Sequence, residues 1–487
     1  MLLWFVIAYW VISVAIGLWA ARRVHNTKDF AIAGRHLPFY MVTATVFATW
    51  FGSEAVLGIP ATFLQEGLHG IVADPFGSSL CLILVGLFFA APLYRMNLLT
   101  IGDFYKKRYS RTVEVLTTLA IVISYLGWVG AQITALGLVF NVVSAGEISK
   151  LAGMWIGASS ILVYTIFGGM WAIAITDLLQ MAIICVGMLY IGDQVSGMVG
   201  GVGAVVEHAR SAGKFEFWPT LDLKEIIAFA ASWMTMMFGS IPQQDVFQRV
   251  QSSKTIKIAV WASVLGGCLY FAFTFVPIFL AYSATLLDPK MVNDLINTDP
   301  QMILPTLILK HAPLFAQIVF FGALLSAIKS CASATLLAPS VTFTENILKP
   351  LLNDVRDKTV LRWMRMVTLS FTLLVTLYAI NSQMSIFKMV ENAYQITLVV
   401  AFIPLACGVY WSHATNQGAI TSICLGFFTW IIMLIFVNDP LLPPQFAGLI
   451  ASAIGMLAGS LLPQKIGGSP PEHPKFLHEH AASPHPH

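Results

Sequence analysis

The chain has 487 residues, 57% of them hydrophobic and only 10% charged, with a mean hydropathy of +0.78. A soluble protein carries about 25% charged residues, so the composition excludes a water-soluble enzyme and a nucleic-acid-binding domain and describes a polytopic membrane protein. The net charge of +3 decides little, whereas the placement of Lys and Arg along the chain decides much more.

About thirteen apolar segments follow one another: 2–21, 37–65, 72–94, 112–143, 150–168, 172–195, 225–243, 258–282, 304–340, 366–383, 386–410, 418–437 and 446–462. Most reach the ~20 residues that cross ~30 Å of hydrocarbon. The first begins at once, lacks a basic leader and is followed by Arg22 and Arg23, so it reads as a retained anchor rather than a cleaved signal. The second contains ATWFGSEAVLGIPA (48–61) with Gly52, Gly58 and Pro60, and the seventh runs into FGSIPQQDVFQR (238–249) with Gly239 and Pro242. Gly and Pro free backbone groups, which membrane depth tolerates only where they line a cavity or bind something. The two interrupted segments lie five apart, and repeats of five helices have opposite orientation. That pairing predicts an inverted-repeat secondary transporter with its site at the bilayer midplane.

The ninth segment holds Lys329 within FFGALLSAIKSCASATLLAPS (320–340). A cation at that depth costs roughly 2.5–3.5 kcal/mol or more, so it is expected to face a protein interior or a hydrated cavity. The six cysteines lie inside apolar segments without metal-ligand spacing and read as packing residues. The tail at 463–487, Pro- and His-rich, is expected to be disordered.

Basic residues concentrate in alternate connections: Arg22, Arg23, Lys28 and Arg35; Arg95, Lys106, Lys107, Arg108 and Arg111; Arg249, Lys254 and Lys257; Lys349, Arg356, Lys358, Arg362 and Arg365. The opposite side carries Lys150, Arg210, Lys214, Lys224, Lys290, Lys310 and Lys388. The positive-inside rule therefore places the N-terminus outside and the C-terminus in the cytoplasm, in a plasma membrane that the compact loops suggest is a bacterial inner membrane.

Three motifs stand in order along the chain. KDFAIAGRHLP (28–38), FGGMWAIAITDLLQ (167–180) and SIPQQDVFQRVQSSKT (240–255) resemble signatures of the sodium:solute symporter family, over about residues 1–462. ATWFG and IPQQDVFQR resemble its high-affinity choline transporter branch, although Gln243 stands where that branch has an aromatic residue. The resemblance implies an all-α, LeuT-type fold of two inverted five-helix repeats. Its parts would be one extra helix at 2–21, repeats at 37–195 and 225–410, and extra helices at 418–462 ahead of the tail. It also implies alternating access and cation-coupled uptake of a small organic solute, with sodium the expected ion and no other cofactor or obligate protein partner; a proton is the alternative because a buried lysine such as Lys329 loses its proton readily.

By the same resemblance, a sodium site falls at Ala48 and Phe51 on the broken second segment and at Ala327, Ser330 and Cys331 on the ninth. Sodium is hard and suits oxygen ligands, whereas the thiol at Cys331 is a poor one. A further site in some members matches Asp177 and Ser333, with Ala334 in place of a second hydroxyl. Lys329, one helical turn before Ser333, is expected to replace or modulate a cation there with Asp177 as its partner. Substrate contacts are expected from Trp50, Glu54, Tyr125, Trp128, Gln132, Trp233, Gln243 and Tyr394, since aromatic faces attract organic ammonium ions. Glu66, Asp74 and Gln395 are further polar groups near these segments. A choline-like cation, an amino acid and a carboxylate all remain open as solutes.

Two other classes fit the sequence less well. A transporter-like sensor would need a separate partner, because no kinase is expected on a chain that runs only about 25 residues past its last helix. A membrane enzyme or channel lacks support, since there is no HExxH, GxSxG or phosphate loop.

Overall fold

A computed structural model describes residues 2–352 and 356–466. Most of the expected tail, 467–487, lies outside the described residues. Within them the fold is built from helices, and the one extended pairing is a single bridge between Leu37 and Ser253. In chain order the helices that matter are α1 (Leu2–Ala20), α2 (Thr27–Ile32), α3 (Phe39–Trp50), α4 (Ile59–Gly70), α5 (Val72–Arg95), α6 (Ile101–Arg108), α7 (Arg111–Val143) and α8 (Lys150–Met198). There follow α9 (Val202–Ser211), α10 (Leu223–Gly239), α11 (Gln244–Ser252), α12 (Ile256–Leu287), α13 (Ile303–His311) and α14 (Leu314–Phe343). The last four are α15 (Asp357–Asn381), α16 (Ile386–Tyr410), α17 (Asn416–Phe436) and α18 (Pro444–Leu461).

Ten of these are long and apolar enough to cross a membrane, or eleven if the bent pair α3 and α4 is one span. The chain is therefore a multi-pass membrane protein. The fifth and sixth predicted segments form one 49-residue run, α8, interrupted at Gly169 with φ +48° and ψ −146°. A side chain at Gly169 would collide with the Phe30 carbonyl at 2.5 Å, so α2 packs directly on that break. The predicted segment 304–340 is corrected: it divides at Ala312 and Pro313 into α13 and the membrane helix α14. A proline holds the residue before it in extended geometry, and Ala312 sits at φ −91° and ψ 146°.

The second span breaks at Phe51, φ −86° and ψ 69°, and resumes through a wide turn in which the N–H of Ile59 donates to the Glu54 carbonyl. Its halves meet at 54°. Gly58 and Pro60 stay within helical geometry, so the break is narrower than the motif suggested. The seventh segment breaks between α10 and α11, where Pro242 has no N–H to continue a helix.

The basic connections meet at one end of the molecule. The N–H of Leu37 donates to Ser252, and that of Lys254 to Leu37, each at 3.0 Å. Arg35 donates to the Tyr94 carbonyl and covers its ring at 3.8 Å, Thr27 N–H reaches Asp357, and Arg365 donates to the Ile166 carbonyl. At the other end Gln65 donates to Ile296, Lys214 to Leu64, and the N–H of Ile386 to Gln301.

Candidate functional site

The two breaks face each other across a cluster of rings. Trp50, the last residue of α3, lies 5.2 Å from Trp128 on α7 and 6.2 Å from Tyr394 on α16, nearly parallel to the latter at 10°. Tyr270 on α12 approaches Trp50 at 6.5 Å, Trp128 meets Tyr394 at 5.6 Å, and Tyr125 stacks on Trp128 at 6.2 Å. All five are buried. The Tyr394 hydroxyl has no hydrogen-bond partner among the described residues.

Glu54 opens the second half of the broken span and closes one side of this box. It accepts from Trp128 Nε1 at 3.2 Å and from Gln132 Nε2 at 2.7 Å. Gln132 also accepts, through Oε1, the N–H of Ser53 that the break sets free, at 2.9 Å. One side chain thus satisfies both the unwound backbone and the carboxylate. Asp74 accepts from Ser78 at 2.5 Å and Tyr270 at 2.7 Å. Glu54 and Asp74 face Met236, Phe387, Val390 and Glu391 across a gap with no room for a water-sized sphere. Ligand pockets commonly hold about 300–1,000 Å³, so the site is closed down in this conformation.

A second polar centre lies on α14. Ser330 and Thr45 donate their hydroxyls to the two oxygens of Asp177, at 2.6 and 2.5 Å. Each hydroxyl oxygen keeps lone pairs, so three oxygen-bearing side chains from three helices converge on one buried point, a donor set suited to a hard cation. Thr45 was missed from the sequence, because nothing local distinguishes it from other threonines of α3. Ala48, Phe51, Ala327 and Cys331 are all buried around the break, and a side chain at Gly52 would meet Cys331 at 2.7 Å. The Cys331 thiol turns toward Glu54, at 3.8 Å.

Several expected neighbours lie elsewhere. Lys329 does not pair with Asp177: its ammonium donates to Ser13 of α1 and lies 5.7 Å from the Trp10 ring and 5.4 Å from that of Tyr164. Consecutive residues on a helix point about 100° apart, which sends Lys329 to α1 while Ser330 turns to Asp177. Ser333 donates to the carbonyl of Ser330 and is not brought to Asp177. Trp233 packs outside the box, 5.8 Å from both Phe217 and Phe229. Gln243 is buried at the second break, with its amide on Ser124 and Thr397. Gln395 turns away to accept from Trp430 of α17, which leaves only its neighbour Tyr394 in the box.

Four carboxylates in this interior, Glu54, Asp74, Asp177 and Asp245, are fully buried. None has a Lys, Arg or His within ion-pair distance among the described residues. Buried charges are ordinarily paired or bind a cation.

The family model described as "Sodium:solute symporter family" matches residues 30–426. The "High affinity choline transporter 1" of Homo sapiens is 26% identical over 445 residues, which cover 87% of this chain and 75% of that protein. The "Sodium/pantothenate symporter" of Escherichia coli (strain K12) is 25% identical over 477 residues, covering 94% and 96%. Among solved structures, a substrate-bound, outward-open Na+-coupled sialic acid symporter superposes with a TM-score of 0.82 at 17% identity, over 95% of this chain and 98% of that one. The overall fold is thus shared with that symporter.

Proposed function

Because the chain belongs to the sodium:solute symporter family and is a cation-coupled secondary transporter, we propose that it takes up a small organic cation with sodium by alternating access. The observation that carries this reading is the aromatic box of Trp50, Trp128, Tyr270 and Tyr394 beside Glu54, a buried carboxylate held by neutral donors alone. Ring faces supply about 2 kcal/mol or more to a desolvated ammonium, and the carboxylate supplies the opposite charge. The relatives known as choline transporters point the same way. An anionic solute would meet Glu54 and Asp74, which have no basic partner among the described residues, while Glu391 is already paired with Lys388 at 2.7 Å.

In this reading sodium occupies Asp177, Ser330 and Thr45 together with carbonyls of the break at Ala48 and Phe51, and Ala327 and Cys331 pack against it. The membrane domain spans 1–462 with thirteen crossings: the run α8 counts twice through its interruption at Gly169, and α10 with α11 counts once as a broken span. The N-terminus lies outside and the C-terminus in the cytoplasm of a bacterial inner membrane, an assignment supported by the basic connections gathered at one end.

Uptake into proteoliposomes tests the reading. Radiolabelled choline is expected to accumulate under an inward sodium gradient, and a pantothenate or proline gradient is expected not to compete. Glu54→Gln is expected to raise the choline KM by about ten- to a hundredfold, the equivalent of ~1.5–3 kcal/mol for hydrogen bonding to a charged group. Uptake that follows a proton gradient and ignores sodium rejects the sodium assignment.

A further inference from the structure

One buried acid has no role in the site as described so far. Asp245 lies in the first turn of α11, the half-helix on the far side of the ring cluster from Glu54. Tyr125 links it to the box: the Tyr125 hydroxyl donates to Asp245 Oδ1 at 2.6 Å and accepts the Asp245 N–H at 2.9 Å, while its ring stacks on Trp128. The second carboxylate oxygen, Oδ2, has no hydrogen-bond partner among the described residues although Asp245 is completely buried. Arg249, one turn on, makes no ion pair with Asp245 among the described residues: its buried guanidinium is near enough to attract the carboxylate but donates instead to the Asp245 backbone carbonyl at 3.1 Å and to Thr49 at 2.8 Å. An unmet buried acceptor is costly, more so when charged, so its presence calls for an explanation.

Glu54 begins the half-helix that leads to the end bearing Gln65 and Ile296, and Asp245 begins the half-helix that leads to Leu93 and the basic connections. The rings of Trp50, Trp128, Tyr125 and Tyr394 lie between them, and the unpartnered Tyr394 hydroxyl belongs to the same cluster.

We propose that Asp245, with the hydroxyls of Tyr125 and Tyr394, forms a second subsite that receives the ammonium group of an organic cation as it leaves Glu54 toward the basic end of the molecule. The subsite rests on the organic-cation reading above. Passing an ammonium from one carboxylate to another across aromatic faces keeps its charge compensated at each stage, where an uncompensated charge at this depth is costly. The plainer alternative is that Asp245 only stabilises the N-terminus of α11 through the helix dipole.

The test uses the full chain in lipid, with choline and tetramethylammonium as probes. Binding is read from Trp fluorescence and turnover from choline uptake. Asp245→Asn is expected to bind choline within twofold of the wild type while kcat falls at least tenfold. Asp245→Glu is expected to restore part of that turnover, and Tyr125→Phe, which leaves the carboxylate in place, to give a smaller loss. Asp245→Asn with wild-type kcat overturns the subsite and leaves the organic-cation reading standing. So does joint loss of binding and thermal stability that Asp245→Glu does not relieve, which assigns Asp245 to helix capping. A wild-type chain that neither binds nor carries choline or tetramethylammonium overturns the organic-cation reading, and the subsite falls with it.

Discussion

Lys329 illustrates how far one residue can be read before the fold is known. Its placement within an apolar run demands a protein interior, and it is buried; which interior was decided by the helix phase that turns it to α1. There it holds Ser13 and faces Trp10 and Tyr164, with no carboxylate in reach. Replacing a buried charge by an apolar group of similar size is often neutral or stabilising, whereas removing its partner is costly. Ser13→Ala is therefore expected to destabilise the protein by about 1–3 kcal/mol, and Lys329→Met by less. The double variant is expected to recover most of the loss. Unfolding midpoints in lipid nanodiscs check this; a neutral Ser13→Ala means that the contact does not hold α1 in place. Glu54 and Trp50 were legible as site residues for a different reason, since they flank a break that Gly52 announces. Trp233 was not separable from them, because a tryptophan of a broken segment carries the same signal whether it faces the rings or the outer cluster.

At the scale of elements, the spans were legible from hydropathy, but their interruptions were located only by packing. Gly52 is needed where the break meets α14: an added Cβ would sit 2.7 Å from Cys331 and 2.8 Å from Glu54 Oε2. Gly52→Ala is expected to abolish uptake while the protein still reaches the membrane, because the displaced groups belong to the site. A paired Gly52→Ala, Cys331→Gly variant is expected to regain part of the activity, and failure of that rescue would show that the backbone at the break, rather than the thiol, sets the limit. The division at Pro313 and the joining of two predicted segments in α8 were harder to read. Lys310 and His311 stand near one end of a long apolar stretch and Gly168 and Gly169 are flanked by apolar residues, so hydropathy changes little, and the backbone dihedrals at Ala312 and Gly169 mark the hinges.

Across the whole molecule, α11 stands apart. All nine of its residues are buried, yet Gln244 Nε2, Asp245 Oδ2, Gln248 Oε1, Arg249 Nε and Gln251 Oε1 have no partners among the described residues. A helix with that many unmet groups is unfavourable as a permanent core element and becomes favourable if water reaches it in another conformation. A carrier that alternates between two sides has such a conformation. Gln248→Cys, in a background without other cysteines, is expected to react slowly with a water-soluble maleimide in the closed state. It is expected to react about an order of magnitude faster when the end bearing the basic connections opens. Equal reactivity with and without sodium and solute would place α11 outside the moving path.

By itself the sequence determined that the chain is a membrane transporter, with two interrupted spans, a basic face and a set of aromatic and acidic candidates, because hydropathy, Gly and Pro placement and charge asymmetry are local properties. Only the tertiary structure decided that Thr45 joins Asp177 and Ser330, that Lys329 serves α1, and that Asp245 lies behind the rings with an unmet oxygen. Those outcomes depend on helix rotation and on contacts between residues far apart in the chain, which no local pattern encodes.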